Sequence, residues 1–288
     1  MSNKKLHERY GPCAMVIGAA EGMGAAWAER LAKEGFDLVL LDLREPELNQ
    51  LAGKLESKHG IRAGALCCDL TKTEQVQAAL DRIAGVEIGL VVFNAALASN
   101  GPWAESTLAD KMRVVAVNVH AVLMVTDALS RPMLERKRGG IVLTSSMAAL
   151  QGAPGQAIYA ATKSFDLILA ESLWGELSPH GVDVMAFIPG MVRTPNFERS
   201  GANKATSALF APVEPAAAVE DALAGLGNGP RVVPGKVWKA MAAASSFMPR
   251  DKLIEAAGDG SKRGPAVRII IGAPARVNST TIGSSGQP

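Results

Sequence analysis

The stretch Cys13-Ala-Met-Val-Ile17-Gly18-Ala-Ala-Glu-Gly22-Met-Gly24 decides the fold of this chain. An apolar run that predicts a short buried strand is followed at once by glycines in the spacing Gly-x-x-x-Gly-x-Gly, where a helical pattern begins. Glycines let a backbone approach a ligand closely, and the free N–H groups at a helix start attract a pyrophosphate. The stretch therefore predicts a strand, a turn and a helix that bind a dinucleotide through Gly18, Gly22 and Gly24.

Short apolar runs alternate with longer helical patterns from residue 13 to about residue 190. The runs are continuous rather than alternating, which is typical of parallel strands covered on both faces. Strands are predicted at 13–17, 38–41, 64–67, 89–93, 140–144 and 182–188, and helices at 25–34, 46–59, 73–83, 109–130 and 158–178. This alternation predicts an α/β fold: a Rossmann-type doubly wound parallel sheet with helices on both faces, in a single domain.

The pattern changes near residue 190. Residues 195–213 are mostly small and polar and lack periodicity, so we expect a substrate loop over about 191–215, either mobile or built of short helices. Further elements are predicted as a helix over 215–226, a strand over 231–233 and a helix over 249–257. We expect residues 1–268 to form one dinucleotide-binding catalytic domain and residues 269–288 to form a loosely ordered tail.

Composition excludes several classes of protein. Hydrophobic residues make up 48% and charged residues 20%, which is typical of a globular chain, and a net charge of +2 is too small for a nucleic-acid groove. Three cysteines form no disulfide framework, and the four histidines are far apart, so no metal site is expected. No uninterrupted apolar run reaches the roughly 18 residues of a membrane span. We expect a cytoplasmic protein without a nucleic-acid partner, a metal or a transmembrane segment.

Asp42 stands at the end of the second predicted strand. A carboxylate at this position accepts hydrogen bonds from the hydroxyls of an adenosine ribose and repels a 2′-phosphate. Asp42 therefore favours NAD over NADP. Arg44, two residues later, leaves NADP open, because its cation could turn toward a phosphate.

A second motif, Tyr159-Ala-Ala-Thr-Lys163, lies within a helical pattern. Residues four apart share one helix face, so the phenol and the ammonium point the same way. A tyrosine has a pKa of about 10, and a fixed cation beside it favours the phenolate and brings that pKa toward the range of a general acid or base. Because ketone reduction needs a hydride to carbon and a proton to oxygen, Tyr159 is the candidate acid.

Taken together, these motifs resemble the short-chain dehydrogenase/reductase superfamily over about residues 12 to 195. The resemblance is carried by the glycine spacing, Asp69, Asn94-Ala95-Ala96, Asn118, Ser146, Tyr159 with Lys163, and Pro189-Gly190 with Thr194. The chain departs from the family pattern at Ile17, where threonine is usual, and at Ala96, where glycine is usual. These departures concern the geometry of the cofactor loops and not the reaction.

The resemblance implies a role for each residue. Tyr159 is the catalytic acid/base, and Lys163 binds the nicotinamide ribose and lowers the pKa of the phenol. Ser146, rather than Ser145, lies 13 residues before the tyrosine and holds the substrate oxygen, and Asn118 holds a water in a proton relay. The further cofactor-binding positions are Met23, Asp69 at the adenine, Leu70, Asn94 beside the central strands, and Pro189, Gly190, Val192 and Thr194 at the nicotinamide end.

The implied activity is that of an NAD(P)-dependent oxidoreductase that interconverts a secondary alcohol and a ketone. The stretches 86–94 and 131–136 resemble the subgroup of 3-oxoacyl and 17β-hydroxysteroid reductases. This resemblance implies a bulky, apolar substrate such as a hydroxysteroid or a 3-oxoacyl compound. An apolar pocket would be lined by Met147, Leu150, Met191, Phe197, Trp103 and Phe210. The alternative is that these side chains are ordinary hydrophobic residues of the core and the loops.

Two further expectations follow from the resemblance. The family implies a homodimer or homotetramer, with the helices at 109–130 and 158–178 as contact surfaces. The alternative function is a catalytically silent dinucleotide-binding protein with a regulatory or scaffold role. The complete set of Asn118, Ser146, Tyr159 and Lys163 favours the enzyme, because a binding module has no need of the serine.

Overall fold

The computed structural model describes residues 6–199 and 211–262. In these ranges seven strands form one parallel sheet in the order β3-β2-β1-β4-β5-β6-β7. The strands are Cys13–Ile17 (β1), Asp37–Asp42 (β2), Ala63–Cys67 (β3), Ile88–Phe93 (β4), Gly139–Thr144 (β5), Val182–Phe187 (β6) and Arg231–Val232 (β7). The chain order reverses between β1 and β4, and this switch point confirms the predicted doubly wound sheet.

Helices cover both faces of the sheet, as predicted. They are Leu6–Tyr10 (α1), Gly22–Lys33 (α2), Glu45–His59 (α3), Thr73–Arg82 (α4), Leu108–Val115 (α5), Ala121–Glu135 (α6), Ala157–Leu177 (α7), Pro195–Arg199 (α8), Pro215–Gly225 (α9), Lys236–Ser245 (α10) and Arg250–Lys262 (α11). Alternate residues of β1 point to opposite faces: Met15 and Ile17 join a core with α4, α6 and α7, whereas Ala14 and Val16 join a core with α2, α3 and α9.

The predicted helix at 109–130 is divided in the structure. A π turn, Ala116–His120, separates α5 from α6, and α6 continues to Glu135 with Pro132 inside it. Two helices, α1 and α10, were not predicted, because one is a single short turn and the other is mostly exposed and rich in alanine. Within the expected substrate loop, residues 195–199 form α8.

Several predicted boundaries fall outside the described residues. The tail at 269–288 and the end of the domain at residue 268 both lie beyond residue 262, and residues 200–210 of the substrate loop also lie outside. These limits stay predictions.

The stretch Leu108–Glu135 is long and apolar enough to cross a membrane by length and composition alone, with a mean hydropathy of 1.5 over its most apolar window. Inside the protein, 44% of that window is buried. Val122 and Val125 of this stretch belong to the core beneath the sheet. Core helices meet the same length and composition criterion.

Candidate active site

The predicted site residues lie at one edge of the sheet. Gly18 follows β1, Asp42 ends β2, Asn94 follows β4, Ser146 follows β5 and Pro189 follows β6. Because all strands are parallel, their carboxyl ends meet at this edge, and the crevice opens where the strand order reverses.

The glycine loop after β1 is built so tightly that side chains would not fit. Gly18 has a φ of 79°, and a Cβ there would lie 2.7 Å from the Cα of Ala95. Gly22 has a φ of 61°. A Cβ on Gly24 would overlap the carbonyl oxygen of Gly18. The Gly18 N–H donates to the carbonyl of Leu41 at 2.7 Å, which fixes the loop against β2.

The start of α2 is suited to a phosphate. The helix begins at Gly22, and Glu21 in the N-cap position makes no capping hydrogen bond with its side chain. The first-turn N–H groups, including those of Met23 and Gly24, are therefore not capped by the Glu21 side chain. Such a helix start attracts a pyrophosphate, so these residues fit a dinucleotide.

Asp42 is fixed between the glycine loop and its own strand end. Its carboxylate accepts a hydrogen bond from the Ala20 N–H at 2.9 Å and another from the Arg44 N–H at 3.1 Å. The carboxylate thus lies beside the loop, where the sequence predicted the adenosine ribose.

Glu21 binds two arginines at the mouth of the crevice, and the sequence analysis missed it. Its carboxylate lies 2.9 Å from Nη1 of Arg44, and Nη1 of Arg199 on α8 donates to it at 3.1 Å. Partial burial acts to raise the pKa of Glu21, but the hydrogen bonds from Arg199 and Arg44 outweigh it and hold the pKa below its ordinary value. The guanidinium of Arg44 is therefore already paired.

Asn94 links the fourth strand to the glycine loop. Its Nδ2 donates to the carbonyl of Gly18 at 3.1 Å, whereas its Oδ1 is buried and has no hydrogen-bond partner within the described residues. A buried acceptor of this kind fits a position beside a polar ligand. The carboxylate of Asp69 accepts hydrogen bonds from the N–H and the hydroxyl of Thr71, and Leu70 packs against the core.

The loops after β5 and β6 are joined at the edge predicted for the nicotinamide. The Met147 N–H donates to the carbonyl of Pro189 at 3.1 Å. A Cβ on Gly190 would overlap the ring of Trp238 on α10, so only glycine fits there. Val192 is buried and pairs with Val213 in an isolated bridge.

Thr194 connects this segment with both α8 and the glycine loop. Its hydroxyl accepts a hydrogen bond from the Phe197 N–H at 3.1 Å and so caps α8. A Cβ on Gly22 would lie 3.1 Å from the Thr194 methyl carbon. The chain after β6 therefore crosses the crevice as far as the start of α2.

The two serines after β5 differ in what they bind. The Ser145 hydroxyl is buried and donates to the carbonyl of Lys163 at 2.7 Å. Ser146 is half-buried, and its Oγ accepts a hydrogen bond from the Ala148 N–H at 3.2 Å, which leaves the hydroxyl hydrogen free to donate. This geometry favours Ser146 as the residue that binds a substrate oxygen.

Tyr159 and Lys163 lie one turn apart on α7. Tyr159 is half-buried, whereas the Lys163 side chain is 3% exposed. The Lys163 Nζ donates to the carbonyl of Thr144 at 2.7 Å and to the carboxylate of Asp166 at 2.9 Å. Asp166 was not predicted, although its position three residues after Lys163 on a buried helix face was a usable signal.

Asn118 is fully buried in the π turn. Its side chain donates to the carbonyl of Leu97 at 2.9 Å and to the hydroxyl of Thr162 at 3.0 Å, and it accepts from the Leu97 N–H at 2.8 Å. Both amide hydrogens are thus used in joining the loop after β4 to α7. The predicted role of Asn118 in a proton relay stays a prediction, and its position in a π turn is one that is frequent at functional sites.

The predicted apolar pocket is only partly within the described residues. Met147, Leu150, Met191 and Phe197 are half-buried, and Phe210 lies outside the described ranges. Trp103 is 61% exposed, with the Lys111 ammonium 4.3 Å from its ring centroid. Trp103 lines a cavity of about 190 Å³ together with Ile158, the residue before Tyr159.

Within residues 6–199 and 211–262, no group of three or more His, Cys, Asp or Glu is arranged to hold a metal ion.

A sequence model described as short chain dehydrogenase matches residues 12–205, and this range includes all four predicted catalytic positions. The chain belongs to the short-chain dehydrogenase family. As a member of this family, it is an NAD(P)-dependent oxidoreductase that interconverts an alcohol and a ketone.

Two curated relatives of this short-chain dehydrogenase cover most of its length. The 7β-hydroxysteroid dehydrogenase of Collinsella aerofaciens is 27% identical over 233 residues, which are 80% of this chain and 89% of the relative. A very-long-chain 3-oxoacyl-CoA reductase-like protein of Arabidopsis thaliana is 33% identical over 239 residues, 81% of this chain and 76% of the relative.

Solved structures share the fold of this short-chain dehydrogenase. A 7β-hydroxysteroid dehydrogenase superimposes with a TM-score of 0.83 at 25% identity, covering 88% of this chain and 99% of the other. A short-chain dehydrogenase from Sphingobium yanoikuyae in complex with NADPH superimposes with a TM-score of 0.73 at 30% identity, covering 82% of this chain and 94% of the other.

Proposed function

We propose that this short-chain dehydrogenase uses NAD to interconvert a bulky, apolar secondary alcohol and its ketone. One observation carries the proposal: Lys163 and Tyr159 share a face of α7, while the Ser146 hydroxyl at the end of β5 keeps a hydrogen to donate. A silent binding module would need neither the serine nor the tyrosine, and family membership does not favour it.

The side chains have separate roles in the proposed reaction. When bound, the nicotinamide gives or takes the hydride. Tyr159 donates a proton to the carbonyl oxygen in reduction and accepts it in oxidation. Lys163 binds the nicotinamide ribose and holds a positive charge one helical turn from Tyr159. Ser146 donates a hydrogen bond to the oxygen on which negative charge develops.

The proposed substrate class rests on the nicotinamide end of the crevice. The half-buried side chains there, Met147 and Met191 among them, are apolar, and such surfaces bind apolar ligands. Two of the relatives have names that refer to a hydroxysteroid and to a very-long-chain 3-oxoacyl-CoA, and the steroid nucleus and the long acyl chain are bulky and apolar.

A panel of substrates tests the proposed function. Absorbance at the reduced-nicotinamide band is followed with NAD or NADP and with hydroxysteroids, 3-hydroxyacyl thioesters and small secondary alcohols. We expect kcat/KM on a bulky class to exceed that on small alcohols by at least about tenfold, which corresponds to about 1.4 kcal/mol. Equal or greater activity on small alcohols would show that the substrate class is wrong.

The preference for NAD is proposed from three charged side chains. Asp42 lies beside the glycine loop and repels a 2′-phosphate. Arg44, the cation that would favour NADP, is paired with Glu21 at 2.9 Å and lies 3.7 Å from Asp42. The relative from Sphingobium yanoikuyae binds NADPH, so the preference needs a direct test.

We expect Asp42→Ala to raise kcat/KM for NADP relative to NAD by about tenfold or more. The reason is that removal of a charge that repels the neighbouring 2′-phosphate is worth on the order of 1.4 kcal/mol. Glu21→Gln should shift the ratio in the same direction, because it releases Arg44. Arg199→Gln is the matched control, since it breaks the other ion pair of Glu21 and leaves Arg44 held. An unchanged ratio in both Asp42→Ala and Glu21→Gln would contradict the assignment.

We also propose a homodimer or homotetramer with α6 and α7 at the subunit contact. Leu123 of α6 is 43% exposed, and Ile168 of α7 is 58% exposed. Large apolar side chains exposed on two long helices that cover the same face of the sheet are typical of a surface that binds another subunit. Light scattering on the purified chain measures the mass of the assembly.

A cytoplasmic location remains our proposal. Cys13, Cys67 and Cys68 are all free thiols. Free thiols persist in reducing compartments, which supports this location.

A further inference from the structure

Helix α7 buries a carboxylate beside the lysine of the catalytic motif. The side chains of Lys163 and Asp166 are 3% and 2% exposed, and Asp166 Oδ2 lies 2.9 Å from Lys163 Nζ. Because Nζ also donates to the carbonyl of Thr144, two of the three ammonium hydrogens are used and one is left for a ligand.

The stability of the folded protein does not by itself explain the ion pair of Lys163 and Asp166. The second oxygen of Asp166 is buried and has no hydrogen-bond partner in the described part of the chain. Burial raises the pKa of Asp166 above its ordinary value, and the Lys163 ammonium offsets this only in part. Replacing a buried ion pair with well-packed apolar residues often leaves a protein equally stable or more stable. The Asp166 carboxylate is therefore better explained by its effect on Lys163 than by its contribution to stability.

Within residues 6–199 and 211–262, no other charged group competes for the ion pair of Lys163 and Asp166. The sheet strand β5 and the short helix Met147–Leu150, which both pack on α7, carry no charged residue. The charged and titratable groups on the other elements packed against α7 have their own partners or face solvent: Asp183 with Arg9 and Tyr10, Asp110 with Thr107, Lys111 with the carbonyls of Trp103 and Ser106, Arg231 with Glu171, and the exposed Arg113, His120 and His180.

We propose that Asp166 is a positioning residue for the reaction: it holds the Lys163 ammonium one helical turn from Tyr159 and keeps it charged during turnover. A lysine buried without a counter-charge tends to lose its proton, whereas a carboxylate at hydrogen-bond distance favours the ammonium. The inference rests on the proposed function, in which that ammonium binds the nicotinamide ribose beside Tyr159.

Asp166→Asn tests the proposal because it keeps the shape and an acceptor oxygen but removes the charge. For the wild type, we expect kcat for alcohol oxidation to rise with pH to a plateau, because oxidation needs a general base that has lost its proton. For Asp166→Asn, we expect kcat to fall again on the alkaline side, to a tenth or less of the wild-type plateau, because Lys163 loses its proton there. A profile of wild-type shape, whether lowered uniformly or unchanged, would overturn the proposal.

Ser164→Ala is the matched control. Ser164 is the next residue on α7 after Lys163, and its hydroxyl donates to the carbonyls of Ala149 and Ala160 without contacting the ion pair. Its pH profile should therefore keep the wild-type shape. If Asp166→Asn does not fold, Asp166→Leu replaces the carboxylate with an apolar side chain of the same branching and the same number of heavy atoms, and the same alkaline loss is expected.

Calorimetric titration with NAD separates this inference from the proposed function. If the wild type binds NAD but turns over none of the panel, the proposed function fails, and the affinity of each variant for NAD across the pH range still tests Asp166. We expect the affinity of Asp166→Asn to fall at alkaline pH by at least tenfold more than that of the wild type. Parallel affinities would overturn the proposal.

Discussion

Tyr159→Phe is expected to lower kcat by about 10²–10⁴, which is the usual contribution of a positioned general acid or base. The substitution removes only the hydroxyl, so the half-buried ring keeps its packing on α7. Lys163 keeps its bonds to Thr144 and Asp166, neither of which involves the phenol. We therefore expect the affinity for NAD to change little while the chemical step is lost.

The chain offers a matched control, because Tyr10 is its second tyrosine. The Tyr10 hydroxyl donates to the carboxylate of Asp183 on β6 at 2.9 Å, so this hydrogen bond does not involve Tyr159. Tyr10→Phe should lower the free energy of unfolding by about 0.5–1.5 kcal/mol through the lost hydrogen bond and leave kcat unchanged. Steady-state rates and thermal melts of both variants are compared. If Tyr159→Phe turns over at the wild-type rate, the acid/base assignment is wrong.

Gly24→Ala is expected to have the largest effect on the cofactor site. A methyl group there would overlap the Gly18 carbonyl, which is backbone and cannot turn away. Either α2 or the glycine loop must therefore move. Overpacking of this kind typically lowers the free energy of unfolding by about 1–3 kcal/mol. Because the displaced loop is the proposed phosphate site, we also expect the affinity for NAD to fall at least about tenfold.

Gly53→Ala is the control for this change. Gly53 lies on an exposed position of α3, and a Cβ there would have no atom within 4 Å. Because alanine is a better helix former than glycine by up to about 1 kcal/mol, Gly53→Ala should leave the free energy of unfolding equal or higher and the affinity for NAD unchanged. Denaturant titration and calorimetry with NAD measure both quantities. Similar results for the two variants would mean that the loop is not packed as described.

Much of the sheet was predictable from the sequence, because fully buried parallel strands are continuous apolar runs. The predicted strand at 13–17 coincides with β1, and the run at 182–188 differs from β6 by one residue. The prediction of a helix at 109–130 is less accurate. This range ends before Pro132, but α6 continues through that proline to Glu135, because packing on the sheet overrides the tendency of proline to end a helix. The π turn gives no periodic signal of its own.

A site residue was predictable where its type and its position at the end of a strand were enough to indicate its role. Gly18 and Asp42 follow from local motifs, and parallel strands place them together. Glu21 and Asp166 were missed because their importance lies in pairing. The pair of Glu21 with Arg44 depends on how the glycine loop meets β2, and that of Lys163 with Asp166 depends on which face of α7 is buried.

The strand order also has a consequence for how the chain folds as it is made. Cys13 in β1 pairs with Asp37 in β2 but also with Ile88 in β4, so the centre of the sheet closes across a long sequence separation. Such non-local contacts slow folding. Until residue 93 has left the ribosome, the edge of β1 that later pairs with β4 stays unpaired, and the side chains of β1 are all buried in the finished protein. The nascent chain is then most exposed to aggregation, at the same strand that later supports the glycine loop.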